Sequence, residues 1–307
     1  MRYYFAPLEG ITDLTYRNLH HRFFPGLDRY YTPFFSPTCH RALTPKEARE
    51  LPPADTLPYT AIPQILTKVP EDFLWFAGQC KDLGYREVNL NLGCPSGTVT
   101  AKGKGSGMLK DPEKLDEFLD CIFHDAPLPV SVKTRIGFES AEEFPRLLEI
   151  FNRYPICELI IHPRVRQDFY NGTPNMDAFR LAFKESKNPL CYNGDLYCTE
   201  DIEKIEEEFP DLQAVMIGRG LVGNPGMLTD QGDLQQFHDT LMDTYAKQFG
   251  SERNTMFRMK EHWFYLAPQL QATDKQMKAL RKTTDLREFK RITQEIFRSP
   301  ALKAPLA

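Results

Sequence analysis

Short runs of apolar, β-branched and aromatic residues recur along most of the chain, with helical patterns between them. Several runs, such as 159–161 and 215–217, are continuous rather than alternating, which is typical of parallel strands covered on both faces. We predict eight strands, at 3–8, 29–35, 59–66, 87–94, 129–136, 158–164, 189–195 and 214–220.

Helix-start signals lie between these strands. Asp111 is a predicted N-cap before Pro112, residues 140–143 have the spacing of a capping box, and Thr199 precedes two acidic residues. Strands that alternate with helices predict an α/β fold, a (β/α)8 TIM barrel. A doubly wound open sheet is the alternative, and the absence of a GxGxxG motif after the first strand disfavours it.

The strand signals stop near Gly232, and helical periodicity follows at 234–249, 254–265 and 273–297. We therefore predict a barrel over residues 1–232 and a small helical domain over 233–307. Residues 236–307 contain 13 Lys/Arg and 8 Asp/Glu, a net charge of +5, whereas the whole chain carries −4. This distribution indicates that a polyanion, if bound, meets the C-terminal part. A solvated helical surface explains the charge equally well.

Targeting and cysteine patterns narrow the class of protein. No run approaches the roughly 20 apolar residues of a membrane span, and the N-terminus lacks the pattern of a signal peptide, so we expect a cytoplasmic protein. The seven cysteines include no CxxC motif, which disfavours a disulfide framework or a cysteine zinc site. Six of them fit as buried small side chains: Cys39, Cys80, Cys121, Cys157, Cys191 and Cys198.

Barrel enzymes carry their active sites at the carboxyl ends of the strands. Asn193-Gly194-Asp195 and Gly218-Arg219-Gly220 end the last two predicted strands, where glycines and an arginine favour a bound phosphate. A phosphate-bearing cofactor is therefore predicted. The other polar residues at strand ends are Glu9, Gln64, Asn89, Asn91, Cys94, Lys133, Arg135, His162 and Arg164.

Three of these side chains have open interpretations. Lys133 contacts the pyrimidine edge of a flavin, forms a Schiff base or extends into solvent. Gln64 binds the edge of a flavin ring or is a satisfied rim amide. His162 is catalytic or structural; its position at a strand end favours the first.

Cys94 ends the fourth predicted strand and is followed by a segment rich in glycine and lysine, 102–109. A structural cysteine is not expected at such a place. The glycines predict an exposed, mobile loop that closes over a substrate, and Lys102 and Lys104 are candidates for phosphate contacts.

The motif Asn91-Leu92-Gly93-Cys94-Pro95-Ser96, followed by Gly105-Ser106-Gly107-Met108-Leu109, resembles the signature of the tRNA-dihydrouridine synthases. Further segments match that family in order: Ala6-Pro7-Leu8-Glu9-Gly10, Val132-Lys133-Thr134-Arg135, His162-Pro163-Arg164, Asn193-Gly194-Asp195 and Met216-Ile217-Gly218-Arg219-Gly220. Two residues depart from the pattern. Leu8 replaces a methionine of similar volume, and Pro163 replaces a glycine and removes a backbone N–H donor.

The resemblance implies FMN as prosthetic group, NADPH as reductant and a uridine of tRNA as substrate. It assigns FMN binding to Pro7, Leu8, Glu9, Gln64, Lys133, His162, Asn193, Gly194, Asp195, Gly218 and Arg219. Cys94 becomes the proton donor to C5 of the uracil, after hydride transfer to C6. The C-terminal helices become the tRNA-binding domain. The substrate contacts expected at the mouth are Asn91, Lys102, Arg135, Arg164, Arg166 and Tyr170. We expect a monomer without a metal ion.

Two other functions compete with this interpretation. A flavin barrel acting on a small pyrimidine, such as a dihydroorotate or dihydropyrimidine dehydrogenase, needs no basic helical domain. A non-catalytic RNA-binding protein on a barrel scaffold would bind no flavin.

Overall fold

The computed structural model describes residues 1–38, 40–270 and 272–298. Nine parallel strand segments form one sheet that curls into a nearly closed barrel, in the order β3-β2-β1-β9-β8-β7-β6-β5-β4. They are β1 Arg2–Phe5, β2 Arg29–Tyr31, β3 Ala61–Ile62, β4 Gln64–Ile65, β5 Val88–Leu92, β6 Val130–Arg135, β7 Leu159–His162, β8 Leu190–Tyr192 and β9 Ala214–Ile217. The predicted α/β barrel is confirmed, and the open sheet is excluded.

The third predicted strand, 59–66, is split by Pro63 into β3 and β4. β3 pairs with β2, and β4 pairs with β5, so the two ends of the sheet are joined through this proline. Proline has no N–H to donate to a neighbouring strand, whereas its carbonyl accepts the N–H of Asn89 at 2.8 Å. The barrel therefore closes covalently at a point where its hydrogen-bonded ladder is interrupted.

Helices cover the outside of the barrel and connect its strands. They are α1 Leu14–Phe23, α2 Pro45–Glu50, α3 Pro70–Asp82, α4 Gly97–Thr100, α5 Pro112–Asp125, α6 Phe144–Phe151, α7 Met176–Glu185, α8 Thr199–Glu208 and α9 Arg219–Gly223. The side chain of Asp111 accepts the N–H of Lys114 and starts α5, as predicted. Ser140 and Glu143 form the predicted capping box before α6.

Successive side chains of each strand alternate between the inner and the outer face of the barrel. Tyr4, Tyr31, Ile160, Cys191 and Met216 belong to a small cluster inside the barrel, whereas neighbouring residues of the same strands join the larger core beneath the helices. The interior is filled at this level, so a cavity can form only above it, at the carboxyl ends of the strands.

Four helices follow the barrel: α10 Leu234–Phe249, α11 Glu252–Gln269, α12 Asp274–Lys282 and α13 Leu286–Phe297. The prediction of one helical segment over 273–297 is wrong, because the structure has two helices there. Thr283 ends α12, and the side chain of Asp285 accepts the N–H of Glu288 to start α13. Threonine and aspartate bond to nearby backbone groups in competition with the helix, which explains the break.

The helical region packs against the barrel beside its mouth. The ring of Phe237 on α10 contacts Tyr16 on α1 edge-on at 5.5 Å, and the Tyr245 hydroxyl donates to Asp13 at 2.9 Å. Helix α11 also packs closely on α9. A Cβ added to Gly223 of α9 would lie 3.0 Å from the carbonyl oxygen of Tyr265 on α11. The division at residues 232 and 233 stays a prediction, and 299–307 lie outside the described residues. No helix in the described part of the chain has the length and apolar character needed to cross a membrane.

Candidate active site

A cavity of about 500 Å³ opens at the carboxyl ends of the strands. A smaller cavity of about 60 Å³ adjoins it. The two cavities share Pro7, Leu8, Lys133, His162 and Tyr170, so they form one elongated site.

The site brings together most of the residues that the sequence singled out. The larger cavity is lined by Cys94, Pro7, Leu8, Glu9, Gln64, Asn91, Lys133, Arg135, His162 and Tyr170. The smaller cavity adds Asn193, Gly194, Gly218 and Arg219. Four candidates do not line either cavity, namely Asp195, Lys102, Arg164 and Arg166.

Cys94 lies half-buried on the wall of the larger cavity. Its backbone N–H donates to Asn91 Oδ1 at 2.9 Å, and its carbonyl accepts the Ser106 hydroxyl at 2.8 Å. Burial raises the pKa of the thiol above its ordinary value, and the nearby cations Arg135 and Lys133 oppose this rise. The thiol therefore stays protonated at neutral pH and can donate a proton.

The glycine-rich segment after Cys94, 102–109, is exposed only at its start, contrary to our expectation of an exposed loop. Residues 105–109 are buried in a 3-10 turn beneath Cys94. Gly105 has a φ of +58°, and an added Cβ would lie 3.0 Å from both the Cβ and the carbonyl oxygen of Cys94. Glycine is thus required here by close packing and backbone conformation, so this turn supports the cysteine from below.

A ladder of buried amides fixes the floor of the cavity. Asn91 Nδ2 donates to Gln64 Oε1 at 2.7 Å, and Gln64 Nε2 donates to Asn89 Oδ1 at 2.7 Å. Asn89 in turn donates to the Ser131 hydroxyl at 2.8 Å. Each oxygen and nitrogen of this ladder has a defined partner, so the orientation of Gln64 and Asn91 is set before any ligand arrives.

Lys133 on β6 is the unusual charge of the site. It forms no salt bridge within the described residues. Arg135 is the charged residue that acts on it most strongly, and it repels the ammonium. Burial, together with this repulsion, lowers the pKa of Lys133 to about 8. A half-buried ammonium without a carboxylate is costly unless a ligand supplies acceptors or negative charge.

His162 at the end of β7 is held as a neutral imidazole. Burial lowers its pKa well below the ordinary value, and Arg135, Lys133 and Arg164 add to this effect. Arg164 Nη1 lies 3.1 Å from His162 Nε2. Since arginine can only donate, Nε2 is the acceptor and Nδ1 carries the proton. The ring therefore offers a hydrogen-bond donor without adding another positive charge.

Asp195 links two arginines rather than lining the cavity. Its carboxylate accepts from Arg219 Nη2 at 2.7 Å and forms a bidentate pair with Arg164. The guanidinium of Arg219 also lies over the ring of Tyr170, at 4.4 Å from its centroid. Arg219 is thus fixed in place at the wall of the smaller cavity.

Like Arg164, which donates to the Asn171 carbonyl at 3.1 Å, the other two expected substrate arginines are engaged with the backbone. Arg135 donates to the carbonyl oxygens of Gly93, Val165 and Phe169 at 2.7 to 2.9 Å. Arg166 donates to the Pro95 carbonyl at 3.1 Å. These arginines tie the Cys94 segment to the loop after β7.

Lys102 lies exposed on the rim, where Lys68 and Lys104 form a cationic group with it. Lys104 donates to the Ser36 hydroxyl at 3.1 Å. Burial, opposed by Asp72, and repulsion by the other two lysines lower the pKa of Lys104. The rim beside Cys94 is therefore positive.

The other cysteines that the structure describes do not line either cavity. Cys80 and Cys191 are buried, Cys157 and Cys198 are half-buried, and Cys121 is exposed. Cys39 lies outside the described residues. Within the described ranges, no group of three or more His, Cys, Asp or Glu side chains is arranged to hold a metal ion.

Sequence reasoning missed several residues of the larger cavity. Tyr265 reaches it from α11, and Phe34 and Phe169 line it from loops after β2 and β7. Loop aromatics beside strand ends were a usable signal for Phe34 and Phe169. Tyr265 gave none, because its place depends on how α11 docks on the barrel.

The fold and the site together define an α/β barrel protein with a candidate active site at the carboxyl ends of its strands. Solved structures share this architecture. Histamine dehydrogenase from Rhizobium sp. 4-9 superposes with a TM-score of 0.52 at 10% identity, over 74% of this chain and 45% of that one. Morphinone reductase in complex with tetrahydroNAD gives a TM-score of 0.50 at 11% identity, over 77% and 90%. These likenesses concern the fold alone.

The sequence comparison is more specific. The family model "Dihydrouridine synthase (Dus)" matches residues 4–304, so this chain belongs to the dihydrouridine synthase family. A probable tRNA-dihydrouridine synthase of Rickettsia prowazekii (strain Madrid E) is 26% identical over 270 residues, covering 80% of each chain. One from Rhizobium leguminosarum bv. phaseoli is 27% identical over 285 residues, covering 88% of this chain and 87% of the relative.

Proposed function

We propose that this chain is a tRNA-dihydrouridine synthase that binds FMN, uses NADPH as reductant and reduces the C5=C6 bond of uridines in tRNA. The observation that carries the proposal is that one cavity holds both the thiol of Cys94 and the ammonium of Lys133, which has no salt-bridge partner among the described residues. Family membership supports the reaction, and the cavity supports the cofactor.

The residues present fit a flavin with a phosphate. Lys133 needs acceptors, which the pyrimidine edge of a flavin provides. His162 and Gln64 add polar groups along the same wall, and Pro7 and Leu8 give it an apolar side. At the narrow end, Arg219 faces backbone at Gly194 and Gly218 that carries no side chains, which suits a phosphate. Glu9 and Asn193 complete the proposed binding set, and Asp195 acts by orienting Arg219.

When bound and reduced, the flavin supplies a hydride to C6 of the uracil. The chain's own part is to hold the base and to supply a proton. Cys94 donates that proton to C5, and solvent reprotonates the thiol. In balance, uridine, NADPH and one proton give dihydrouridine and NADP⁺.

Substrate binding is assigned to the mouth and the helical region. Asn91 fixes the backbone of Cys94, and Tyr170 is half exposed above the cavity, where it can stack on a base. Lys102 meets a phosphate at the positive rim. Arg135, Arg164 and Arg166 shape the surrounding loops, and through them the entrance for the uridine. We further propose that the basic C-terminal helices, within the predicted domain 233–307, bind tRNA.

Incubation of the purified protein with NADPH and tRNA lacking dihydrouridine tests the proposal. We expect a yellow protein with flavin absorbance, and dihydrouridine detected by mass spectrometry of the digested tRNA. A protein that binds flavin but reduces free pyrimidines instead of tRNA would contradict the substrate. A colourless protein that takes up no FMN would contradict the whole assignment.

A further inference from the structure

Exposed large apolar side chains are few in this protein and unevenly placed. Among the described residues they are Met1, Phe169, Tyr170, Tyr197, Phe257 and Phe264. Phe169, Tyr170 and Tyr197 lie in the loops after β7 and β8, at the mouth. The other two aromatics lie on α11, and Phe264 is the most exposed of all, at 73%. Single exposed apolar side chains are normal on a protein surface, so these two rings become informative only through the residues around them.

The two phenylalanines of α11 belong to a line of alternating cations and rings. Arg253, Phe257, Lys260 and Phe264 follow one another at intervals of four, three and four residues, which places them on one face of the helix. We call these four residues the α11 strip. Arg253 and Lys260 lie 5.5 and 6.0 Å from the centroid of the Phe257 ring.

The neighbouring helix α12 adds a positive charge and a cavity beside the α11 strip. Lys260 Nζ donates to the carbonyl oxygens of Arg281 and Thr283 at 3.1 and 2.6 Å, which holds the end of α12 against the strip. A cavity of about 320 Å³ lies between the two helices, lined by Phe264, Pro268, Met277, Arg281 and their neighbours. It offers an apolar floor with cations at the edge.

The α11 strip is continuous with the candidate active site. The rings of Phe264 and Tyr265 meet edge-on, with centroids 5.2 Å apart at 87°. Tyr265 lines the larger cavity of the barrel mouth. A chain that lies along the strip therefore reaches the cavity without crossing a gap.

We propose that the α11 strip binds unpaired nucleotides of the tRNA that flank the reacting uridine. Phe264 stacks on a base, while Arg253, Lys260 and Arg281 attract the phosphates. This inference rests on the proposed function and names the surface of the helical region that the tRNA contacts.

Charge complementarity favours an RNA over a protein partner. Cations interleaved with exposed rings match a single strand of nucleic acid, since bases stack on the rings and phosphates pair with the cations. On α10, by contrast, a surface groove is lined by Asp233, Asp239 and Asp243 against the single cation of Lys247. This groove is therefore less suited to a polyanion than the α11 strip.

Three substitutions at Phe264 separate stacking from other roles. Because the side chain is exposed, Phe264→Ala, Phe264→Leu and Phe264→Trp should all fold, which melting curves verify. We expect Phe264→Ala and Phe264→Leu to weaken tRNA binding about tenfold, in Kd by filter binding and in KM, with kcat unchanged. Phe264→Trp should stay within about twofold of the wild type, since it keeps a stacking ring.

Phe123→Ala is the control at a half-buried ring away from the mouth. Phe123 lies in the last turn of α5, stacked on Tyr154, at the end of the barrel opposite the mouth. It should leave tRNA affinity unchanged. Oxidation of NADPH without tRNA should be the same in all variants. Arg281→Gln and Arg253→Gln should each lower the salt dependence of tRNA binding by about one phosphate contact.

Several outcomes would overturn the inference. Unchanged tRNA affinity in Phe264→Ala, or full affinity in Phe264→Leu, would show that no base stacks there. A loss of dimer mass in the variant, measured by sedimentation, would assign the strip to a second copy of the chain. A failure of the proposed function is distinct, because the wild-type protein would then form no dihydrouridine whatever Phe264 does.

Discussion

The two ends of the barrel differ in how one charge at each end is paired: Glu158 at the base has several partners supplied by the protein, whereas Lys133 at the mouth has none among the described residues. At the base, Glu158 Oε1 accepts from the Tyr4 hydroxyl at 2.9 Å and from Arg2 at 3.3 Å. Its Oε2 accepts from Tyr31 at 3.3 Å and lies 3.5 Å from Arg29. At the mouth, Lys133 has no such partner within the described residues, and its surroundings are positive.

This difference separates a structural cluster from a site. A buried charge whose partners are all supplied by the protein contributes to folding, or at least costs little. A buried charge left without them costs stability, which a bound ligand must offset. The ammonium of Lys133 therefore indicates an anionic or acceptor-rich ligand more strongly than its residue type alone.

The largest expected effect concerns Cys94, the proton donor at the mouth. Cys94→Ala should lower dihydrouridine formation in single turnover about a thousandfold, the usual range for a positioned general acid, while FMN stays bound. Cys121→Ala is the control, since that thiol is exposed on the outside of the barrel. A full single-turnover rate in Cys94→Ala would assign the proton to another group.

At the base, substitution should act on stability and not on chemistry. Glu158→Ala leaves two buried hydroxyls and Arg2 without their acceptor, so we expect a loss of about 3 kcal/mol in the free energy of unfolding, measured in urea. The kcat of the folded fraction should not change. Arg2→Ala is the control, because its side chain is 42% exposed and its ion pair should contribute under about 1 kcal/mol. Lost activity at unchanged stability would break the comparison between the two ends.

Much of the barrel was predictable because parallel strands leave a simple pattern of apolar runs. The mouth was predictable in turn, since every strand ends at the same rim. The split at Pro63 was not predicted, although the proline is visible, because a strand and its interruption share the same apolar residues.

The roles of individual side chains were harder to predict. An arginine at a strand end looks the same in the sequence whether it faces a phosphate or, like Arg135, three backbone carbonyls. Tyr265 enters the site only because distant contacts, such as that of Tyr245 with Asp13, dock the helices on the barrel. Contacts of such long range leave no local pattern.

A third buried polar group extends the comparison. It lacks hydrogen-bond partners among the described residues, yet it lines neither cavity of the candidate active site. His262 on α11 stacks on Tyr16 at 4.9 Å, and neither ring nitrogen has a hydrogen-bond partner in the part of the chain that the structure describes. Burial, assisted by Arg258 and His238, lowers its pKa to about 3. The ring is therefore neutral and costs less than Lys133.

This histidine makes stability depend on pH. The unfolded chain binds a proton near pH 6.5 and the folded chain does not until about pH 3, so stability falls as the pH drops through that window. At pH 5 His262 should contribute about 2 kcal/mol of the loss, and His262→Phe should remove that share. His20 and His162, whose pKa values burial also lowers, keep theirs. His124→Gln, on an 84% exposed histidine, should keep the wild-type pH dependence. If urea unfolding gave the same loss of stability between pH 7 and pH 5 for His262→Phe as for the wild type, this assignment would be contradicted.

The smallest effect tests the mouth most directly, because it predicts two changes of opposite sign in one variant. Lys133→Met should weaken FMN binding about tenfold, measured by flavin fluorescence, since it removes one charged contact. The same change should stabilise the flavin-free protein by about 1 kcal/mol at pH 7, because it removes a half-buried ammonium without a salt-bridge partner among the described residues. The wild type, which is the less stable of the two at pH 7, should gain stability relative to Lys133→Met as the pH rises from about 8 toward 10.5. In that range the folded chain releases the proton of Lys133 before the unfolded chain does. Lys204→Met, on a 73% exposed lysine, should change neither quantity. If Lys133→Met instead destabilised the flavin-free protein, Lys133 would have partners within the fold, and the contrast between the two ends of the barrel would no longer mark the site.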